Sequence, residues 1–115
     1  MKKPREYLQD ILSHIRAVAD FTTGGYDDFL ADLKTQFAVI RAYEIIGEAA
    51  KRLPAELRDM NPQIDWRKLI SFRDFLAHNY DEIILEFVWQ AVGDLPYLKV
   101  AVEGLLQSLD EKEAE

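Results

Sequence analysis

The sequence predicts an all-α fold, a bundle of four main helices with one additional short helix. Two observations carry this prediction. Apolar residues recur at spacings of three and four along most of the 115-residue chain, which is the period of an amphipathic helix. No stretch of useful length alternates between apolar and polar residues as a half-buried strand would. Since the chain has the length of one domain, we expect residues 1–115 to form a single helical domain.

The first helix is indicated by a stripe of apolar residues that ends at the turn Thr22-Thr23-Gly24-Gly25. A long second helix is expected to begin near Asp27 and Asp28, whose carboxylates suit the positive end of the helix dipole. We expect it to continue without a break to Leu53-Pro54. Its predicted inward stripe consists of Phe29, Leu33, Gln36, Ile40, Tyr43, Gly47 and Ala50.

Two further helices follow in the middle of the chain. Pro54 favours the first turn of a short helix over residues 54–60. Asp65 is expected to cap a third main helix that runs over about residues 66–79.

A fourth main helix is expected to start near Asp81 and to carry the last apolar stripe as far as Leu109. Pro96 should kink or break it around residues 92–94, because proline lacks the amide hydrogen that a helix interior needs. Some apolar residues fall off the main stripe, which favours their burial by a second copy of the chain. They are Phe87, Tyr97 and Val100.

Composition excludes several classes of site. The chain has no cysteine, so disulfides, thiol catalysis and cysteine-based zinc sites are excluded. Inward-facing Glu-x-x-His pairs are also absent, so we expect no metal and no other cofactor. His14 lies off the apolar stripe and is expected to be solvated. No apolar run approaches the ~20 residues that a membrane span needs, so we expect a cytoplasmic protein without a membrane partner.

The net charge of −7 argues against a broad nucleic-acid-binding surface, since phosphate contacts are built from lysine and arginine. Between Arg41 and Arg73, however, seven basic and five acidic residues give a balance of +2, so the remainder carries −9. This asymmetry is compatible with a local site for a polyanion. A merely soluble acidic protein is the plain alternative.

The most informative segment is Ser71-Phe-Arg-Asp-Phe-Leu-Ala-His-Asn-Tyr80. It places the permanent cation of Arg73, the imidazole of His78 and the phenol of Tyr80 within eight residues. Arginine suits phosphate binding, and histidine suits proton transfer near neutral pH. Together they are the minimal set of groups for attack on a phosphodiester.

Helical periodicity separates these groups. Arg73 falls within the apolar stripe of its helix, and His78 falls about 140° around the axis from it. Two arrangements would bring them together. Either the helix end opens near Asn79 and turns His78 inward, or two copies of the helix meet across a twofold axis and share their groups.

Each residue of the motif also has a plainer interpretation. Arg73 would form a buried ion pair with Glu44 or Glu48 of the second helix. His78 would interact with the dipole at a helix C-terminus, and Tyr80 would be an amphipathic boundary residue. On these interpretations the protein is a structural helical dimer.

Together with other segments of the chain, the motif of Arg73, His78 and Tyr80 resembles the HEPN superfamily, and specifically the HepT-type toxins of prokaryotic toxin–antitoxin pairs. The segment Arg73-x-x-x-x-His78-x-Tyr80 matches the active-site motif of that family position by position. The resemblance covers nearly the whole chain. Its other blocks are Tyr7-Leu-Gln-Asp-Ile-Leu12, Ala42-Tyr-Glu-Ile-Ile-Gly-Glu-Ala-Ala-Lys51, Leu53-Pro-Ala-Glu-Leu57, Asp65-Trp-Arg-Lys-Leu69, Val88-Trp89 and Asp94-Leu-Pro-Tyr-Leu98.

The resemblance implies a homodimer in which two motifs line a cleft, and a metal-independent endoribonuclease activity. His78 would handle the proton of the 2′-hydroxyl or of the leaving group, and Arg73 would hold the scissile phosphate. The expected products carry a 2′,3′-cyclic phosphate and a 5′-hydroxyl. The residues expected to support the site are Asp74, Asn79, Glu44 and Glu48.

The resemblance also implies a partner, a small nucleotidyltransferase antitoxin that can transfer AMP onto Tyr80. The added bulk and negative charge beside Arg73 and His78 would block RNA. One position departs from the family, because many relatives carry asparagine where this chain has Asp74. An alternative function is a non-catalytic module that binds the nucleotidyltransferase or presents a substrate to it.

Overall fold

The computed structural model describes residues 2–114, which form seven α-helices and one short 3-10 helix and contain no strand. The 3-10 helix, Tyr80–Glu82, connects α5 to α6. The α-helices are α1 (Pro4–Phe21), α2 (Gly25–Ala31), α3 (Leu33–Lys51), α4 (Ala55–Asp59), α5 (Trp66–His78), α6 (Leu85–Gly93) and α7 (Leu95–Ala114). The predicted all-α fold class is confirmed.

The helix α3 organises the bundle, because it packs against both α1 and α5, while α7 packs against α1. Their apolar stripes meet in one continuous core. Burial of these stripes is the main force that holds the helices together. The largest fully buried side chains are Phe29, Leu8, Ile11, Ile46, Leu105, Val18, Val39, Val88 and Val102.

The predicted second helix is two helices, α2 and α3, separated at Asp32. Asp32 has extended backbone angles (φ −126°, ψ 106°), and its carboxylate accepts a hydrogen bond of 2.7 Å from the Thr35 hydroxyl. It therefore caps α3. The side-chain amide of Gln36 donates to two carbonyls at the end of α2. The break shifts the helical register, so Leu33, which was expected to face inward, is 61% exposed.

The short helix and the start of α5 agree closely with the predicted pattern. The Asp65 carboxylate accepts a 3.0 Å hydrogen bond from the backbone amide of Lys68, so the predicted cap is confirmed. Pro54 is the residue just before α4 instead of lying within its first turn. His14, which was expected to be solvated, is half-buried, and its Nδ1 donates a hydrogen bond to the Asp10 carbonyl at 2.7 Å.

The predicted fourth helix is also divided. Instead of starting a helix at Asp81, the chain passes through the 3-10 helix, and α6 begins at Leu85. Asp94 then separates α6 from α7. Pro96 lies in the first turn of α7, where its missing amide hydrogen leaves no helical hydrogen bond unmade. The predicted break around residues 92–94 is confirmed.

Within residues 2–114, no helix combines the length and the apolar character that crossing a membrane requires. The same residues contain no cluster of three or more histidine, aspartate or glutamate side chains arranged to hold a metal ion.

Candidate active site at the end of α5

The helices α3 and α5 are in very close contact where Gly47 meets Arg73. A Cβ atom added to Gly47 would lie 2.2 Å from the Cβ and 2.5 Å from the Cγ of Arg73. Because any side chain at position 47 would occupy this space, only glycine lets α5 come so near. The aliphatic part of Arg73 therefore lies directly over the backbone of α3.

Two carboxylates hold the guanidinium of Arg73. Its Nη2 lies 3.0 Å from Glu48 Oε2, and its Nη1 lies 2.8 Å from Asp74 Oδ1. The other oxygen of Glu48 accepts a 3.0 Å hydrogen bond from Arg52 Nε. A chain of alternating charges with no net charge thus runs through Arg52, Glu48, Arg73 and Asp74. The Nε of Arg73 is buried and has no hydrogen-bond partner within the described part of the chain.

Of the two acidic partners expected for Arg73, the structure selects Glu48. Glu44 instead lies 3.8 Å from Arg41 through its Oε1. The side chain of Arg73 retains 20% exposure, so the ion pair lies at the rim of the core and is only partly buried.

The Asp74 carboxylate is held in its charged form. The hydrogen bond from Arg73 is the largest cause that lowers the pKa of Asp74, and the charges of Lys51 and His78 add to the effect. An anion that approaches Arg73 from solution therefore meets a negative group beside it. Phosphate binding at Arg73 requires that this carboxylate be displaced or tolerated.

His78 is the last residue of α5, and its side chain is exposed. Its Nδ1 lies 2.8 Å from the Asp74 carbonyl oxygen. Since a carbonyl oxygen only accepts hydrogen bonds, Nδ1 carries the hydrogen, and Nε2 of the neutral ring is left as the free basic nitrogen. The backbone of α5 thus fixes the tautomer of this imidazole.

One of the two arrangements proposed from the sequence is not found. The end of α5 does not open to turn His78 inward, because the helix continues through His78 and ends only at Asn79. Asn79 closes the helix through its backbone amide and side-chain amide, which donate to the Phe75 carbonyl at 3.0 and 3.2 Å. Arg73 packs against α3 while His78 is exposed to solvent, and both contact Asp74, Arg73 through the carboxylate and His78 through the backbone carbonyl.

Tyr80 begins the 3-10 helix immediately after this end of α5. Its side chain is 86% exposed, the highest fraction among the large apolar and aromatic side chains that reach the surface within residues 2–114. A phenol in this position is freely accessible to another protein.

An open cleft of about 730 Å³, which the sequence did not predict, lies between α3, α5, α6 and α7. Aromatic side chains line it, including Phe72, whose ring packs edge-on against Tyr43 with centroids 5.4 Å apart. Phe87 and Tyr97 also line the cleft and are 52% and 71% exposed, and Val100 is 70% exposed. The three residues that fell off the predicted stripe of the fourth helix are therefore surface residues.

Comparison with protein families matches residues 11–105 to the family described as ribonuclease HepT-like. The chain belongs to this HepT-like family of the HEPN superfamily. The match includes all of α5 and the segment from Arg73 to Tyr80. The family resemblance expected from the sequence is confirmed.

Relatives of this HepT-like chain cover most of its length. A Thermococcus cleftensis protein named "Probable ribonuclease HepT" is 44% identical over 103 residues, which span 88% of this chain and 94% of that protein. A candidate RNase of Methanocaldococcus jannaschii is 44% identical over 92 residues, spanning 79% and 76% of the two chains. Another from the same organism is 34% identical over 110 residues, spanning 94% and 95%. No solved structure matches the chain.

Proposed function

We propose that this protein is a metal-independent endoribonuclease whose active site forms between two copies of α5 in a homodimer. The observation that carries the proposal is the placement of Arg73 and His78 in the C-terminal half of α5, in a chain that belongs to the HepT-like family. The relative named "Probable ribonuclease HepT" supports the same class of reaction.

His78 acts as the general base. Its Nδ1–H is held by the Asp74 carbonyl, so the free Nε2 accepts the proton of an RNA 2′-hydroxyl. The 2′-oxygen forms a bond to phosphorus, and the bond from phosphorus to the 5′-oxygen breaks. A protonated imidazole, that of His78 or of its copy in the partner subunit, returns a proton to the leaving 5′-oxygen. The products are a 2′,3′-cyclic phosphate and a 5′-hydroxyl.

Arg73 stabilises the negative charge that builds up on the phosphate oxygens in the transition state. The planar guanidinium presents two parallel N–H groups that match two phosphate oxygens. Asp74 and Glu48 occupy the two terminal nitrogens in the free chain, so phosphate replaces at least one of them. Glu48 keeps the guanidinium oriented through Nη2 while Nη1 is exchanged.

A second copy of the chain completes the site. Since Arg73 and His78 face different sides of α5, the Arg73 of one protomer and the His78 of its partner would act on the same phosphate. The exposed apolar side chains on α6 and α7 provide surface that a second copy would bury, and they are Phe87, Tyr97 and Val100.

The partner is a nucleotidyltransferase antitoxin that controls the enzyme through Tyr80. It would transfer AMP from ATP to the phenolic oxygen, with loss of the phenolic proton and release of pyrophosphate. The exposure of Tyr80 supports this role, because a transferase needs an accessible acceptor. The attached phosphate adds negative charge at the end of α5 and repels RNA.

The decisive experiment is cleavage of RNA by the purified protein in the presence of EDTA. We expect products that end in a 2′,3′-cyclic phosphate, and we expect His78→Ala and Arg73→Ala to abolish cleavage. Activity in EDTA that survives both substitutions would show that another site or a contaminant is responsible, and the proposal would be wrong.

A second candidate function is a non-catalytic module that binds a nucleotidyltransferase. The observation in its favour is the double occupation of Arg73 by Glu48 and Asp74, in a protein with a net charge of −7. Expression without the partner separates the two functions. Growth arrest that His78→Ala abolishes supports the ribonuclease, whereas stable association with the partner and intact cellular RNA support the binding module.

A further inference from the structure

One face of α5 carries four polar side chains, those of Arg67, Ser71, Asp74 and His78. At 3.6 residues per turn, their positions fall within about 60° of one another around the helix axis. Arg67, Ser71 and His78 are exposed, and the side chain of Asp74 is 43% exposed. No apolar residue falls within this arc. A polar strip, defined by these four residues, therefore runs from the first turn of α5 to the candidate catalytic histidine.

The helix α4 brings a second arginine to the far end of this strip. Arg58 lines a shallow pocket together with Arg67 and Ser71. The loop between α4 and α5 is well ordered by hydrogen bonds, since the Trp66 Nε1 donates to the Asn61 carbonyl at 3.1 Å and the Asn61 amide donates to the Arg58 carbonyl at 3.0 Å. Arg58 is therefore held beside the start of α5.

These two arginines differ from the others near the site. Arg52 and Arg73 are paired with acids, whereas neither Arg58 nor Arg67 takes part in an ion pair within residues 2–114. The Nε of Arg58 is buried and has no hydrogen-bond partner among the described residues. Since this nitrogen is closed to solvent, an oxyanion in the pocket would meet the terminal nitrogens of Arg58.

Acidic side chains near the pocket offset part of this positive charge. Asp59 lines the same pocket, so two arginines face one carboxylate there. Asp65 lines the neighbouring pocket with the same two arginines, and its carboxylate keeps its charge while it caps α5 by accepting a hydrogen bond from the Lys68 amide. From its own side chains, the pocket lined by Arg58, Arg67 and Asp59 carries one net positive charge.

We propose that Arg58 and Arg67 form a second phosphate-binding subsite, which holds the backbone of a single-stranded RNA a few nucleotides away from the bond that is cleaved. At ~1.5 Å per residue, Arg67 lies about 16 Å before His78 along α5, which is farther than one phosphodiester can reach. The strip between them offers polar groups to the strand. This inference rests on the proposed ribonuclease function and specifies its substrate as an extended strand of several nucleotides.

The contacts at this subsite are expected to be independent of base sequence. Arginine side chains that bind backbone phosphates set the position of a strand and do not read its bases. The subsite therefore fixes how long a substrate must be and on which side of the cleaved bond it extends.

Binding of fluorescently labelled RNA by His78→Ala tests the subsite without cleavage. We compare an RNA of three nucleotides with one of ten nucleotides at several salt concentrations. The longer RNA should bind more tightly, and Arg67→Gln or Arg58→Gln added to His78→Ala should remove most of that advantage. Each lost phosphate contact should lower the slope of log affinity against log salt by about 0.7.

Arg16→Gln is the matched control, because Arg16 is exposed on α1, forms no ion pair within the described part of the chain and lines none of these pockets. Arg16→Gln should leave the dependence of affinity on RNA length unchanged. Arg67→Lys should keep part of this dependence, since lysine retains the charge but not the planar fork. Arg67 is exposed, so its substitution does not depend on refolding of the core, and a melting curve verifies the fold of Arg58→Gln.

The subsite is wrong if the variant that carries both Arg58→Gln and Arg67→Gln still binds the longer RNA more tightly than the shorter one by the same factor. If the native chain still cleaves RNA in that case, only the subsite is wrong and the ribonuclease stands. If length-dependent binding requires Arg67 but the native chain cleaves nothing, the ribonuclease proposal is wrong and the RNA-binding subsite stands.

Discussion

Gly47 of α3 and Arg73 of α5 lie so close together that a single methyl group on Gly47 would overlap the Arg73 side chain, at 2.2 Å from its Cβ. The glycine therefore does more than permit a helix crossing. It lets α5 approach until the guanidinium of Arg73 meets Glu48, 3.0 Å away on the same helix as the glycine.

We predict that Gly47→Ala destabilises the fold and displaces Arg73. Overpacking of this kind costs ~1–3 kcal/mol of unfolding free energy, and RNA cleavage should fall as well because α5 has to shift. The control is Gly104→Ala in α7, where an added Cβ has no atom within 4 Å. That substitution should stabilise the protein by about 0.5–1 kcal/mol. Urea unfolding measures both, and equal midpoints for the two variants would contradict the prediction.

Arg73→Lys should separate catalysis from stability. Lysine keeps the charge but cannot contact Glu48 and Asp74 with two nitrogens at once, nor present a fork to phosphate. We expect RNA cleavage to fall by ~100-fold and the melting temperature to change little, because partly exposed ion pairs contribute roughly 0–1 kcal/mol.

Arg52→Lys is the control. Arg52 also pairs with Glu48, but its side chain is more exposed than that of Arg73. A large loss of stability in Arg73→Lys with intact cleavage would instead favour the structural helical dimer.

Asp74→Asn should increase RNA cleavage several-fold. The amide removes a negative charge and loosens the 2.8 Å contact that occupies Arg73 Nη1, so phosphate reaches the guanidinium more easily. The gain should appear mainly as a lower KM. Asp20→Asn at the exposed end of α1 is the control for a simple change in net charge. A decrease in activity for Asp74→Asn would mean that the carboxylate orients Arg73 productively.

Tyr80→Phe should give a protein that the proposed nucleotidyltransferase partner cannot inactivate. The substitution removes the phenolic oxygen that would accept AMP and leaves the ring in place. Mass spectrometry after incubation with the nucleotidyltransferase and ATP should show one added AMP on the wild type and none on the variant. Tyr97→Phe, at another highly exposed tyrosine, should still be modified. Modification of Tyr80→Phe would exclude this residue as the acceptor.

Tyr43 should make the stability of the fold sensitive to alkaline pH. Burial, and secondarily the charge of Asp94, raise the pKa of Tyr43 far above its usual value. The folded state therefore keeps the phenol protonated, while the unfolded state loses the proton above pH ~10. Stability from this residue is complete below pH ~10 and declines as the pH rises above it.

Absorbance at 295 nm measures that ionisation directly. One of the five tyrosines should resist ionisation until the protein unfolds, and Tyr43→Phe should remove that resistant fraction. Simultaneous ionisation of all five tyrosines in the folded wild type would contradict this prediction.

The sequence was sufficient for the fold class and for the boundaries that depend on local chemistry. Asp65 and Pro96 act within one helical turn, so the cap of α5 and the break before α7 followed from the residues themselves. The break at Asp32 was missed because the apolar spacing continues across it. The hydrogen bond from Thr35 that fixes this break is also local, and an Asp-x-x-Thr pattern was a signal that would have found it.

The sequence predicted which residues belong to the candidate site, but it did not predict how they are arranged in space. Glu44 and Glu48 lie on the same flank of α3, so periodicity could not choose between them as partners of Arg73. The choice depends on how α5 sits over Gly47, which is a matter of packing between distant segments. The cleft beside α5 was not predicted for the same reason, since its walls come from four helices, and no pattern within one helix specifies their relative placement.

In the free chain, the four groups from Arg52 to Asp74 carry two positive and two negative charges, so together they have no net charge. A neutral row of four charged groups attracts a distant polyanion only weakly, and the net charge of −7 on the whole protein opposes its approach. In the proposed ribonuclease, selection of a ligand at Arg73 would therefore take place on contact, where the ligand has to compete with the Asp74 carboxylate for the same nitrogen. Such a site would bind only groups whose negative charge and geometry compete with the carboxylate of Asp74.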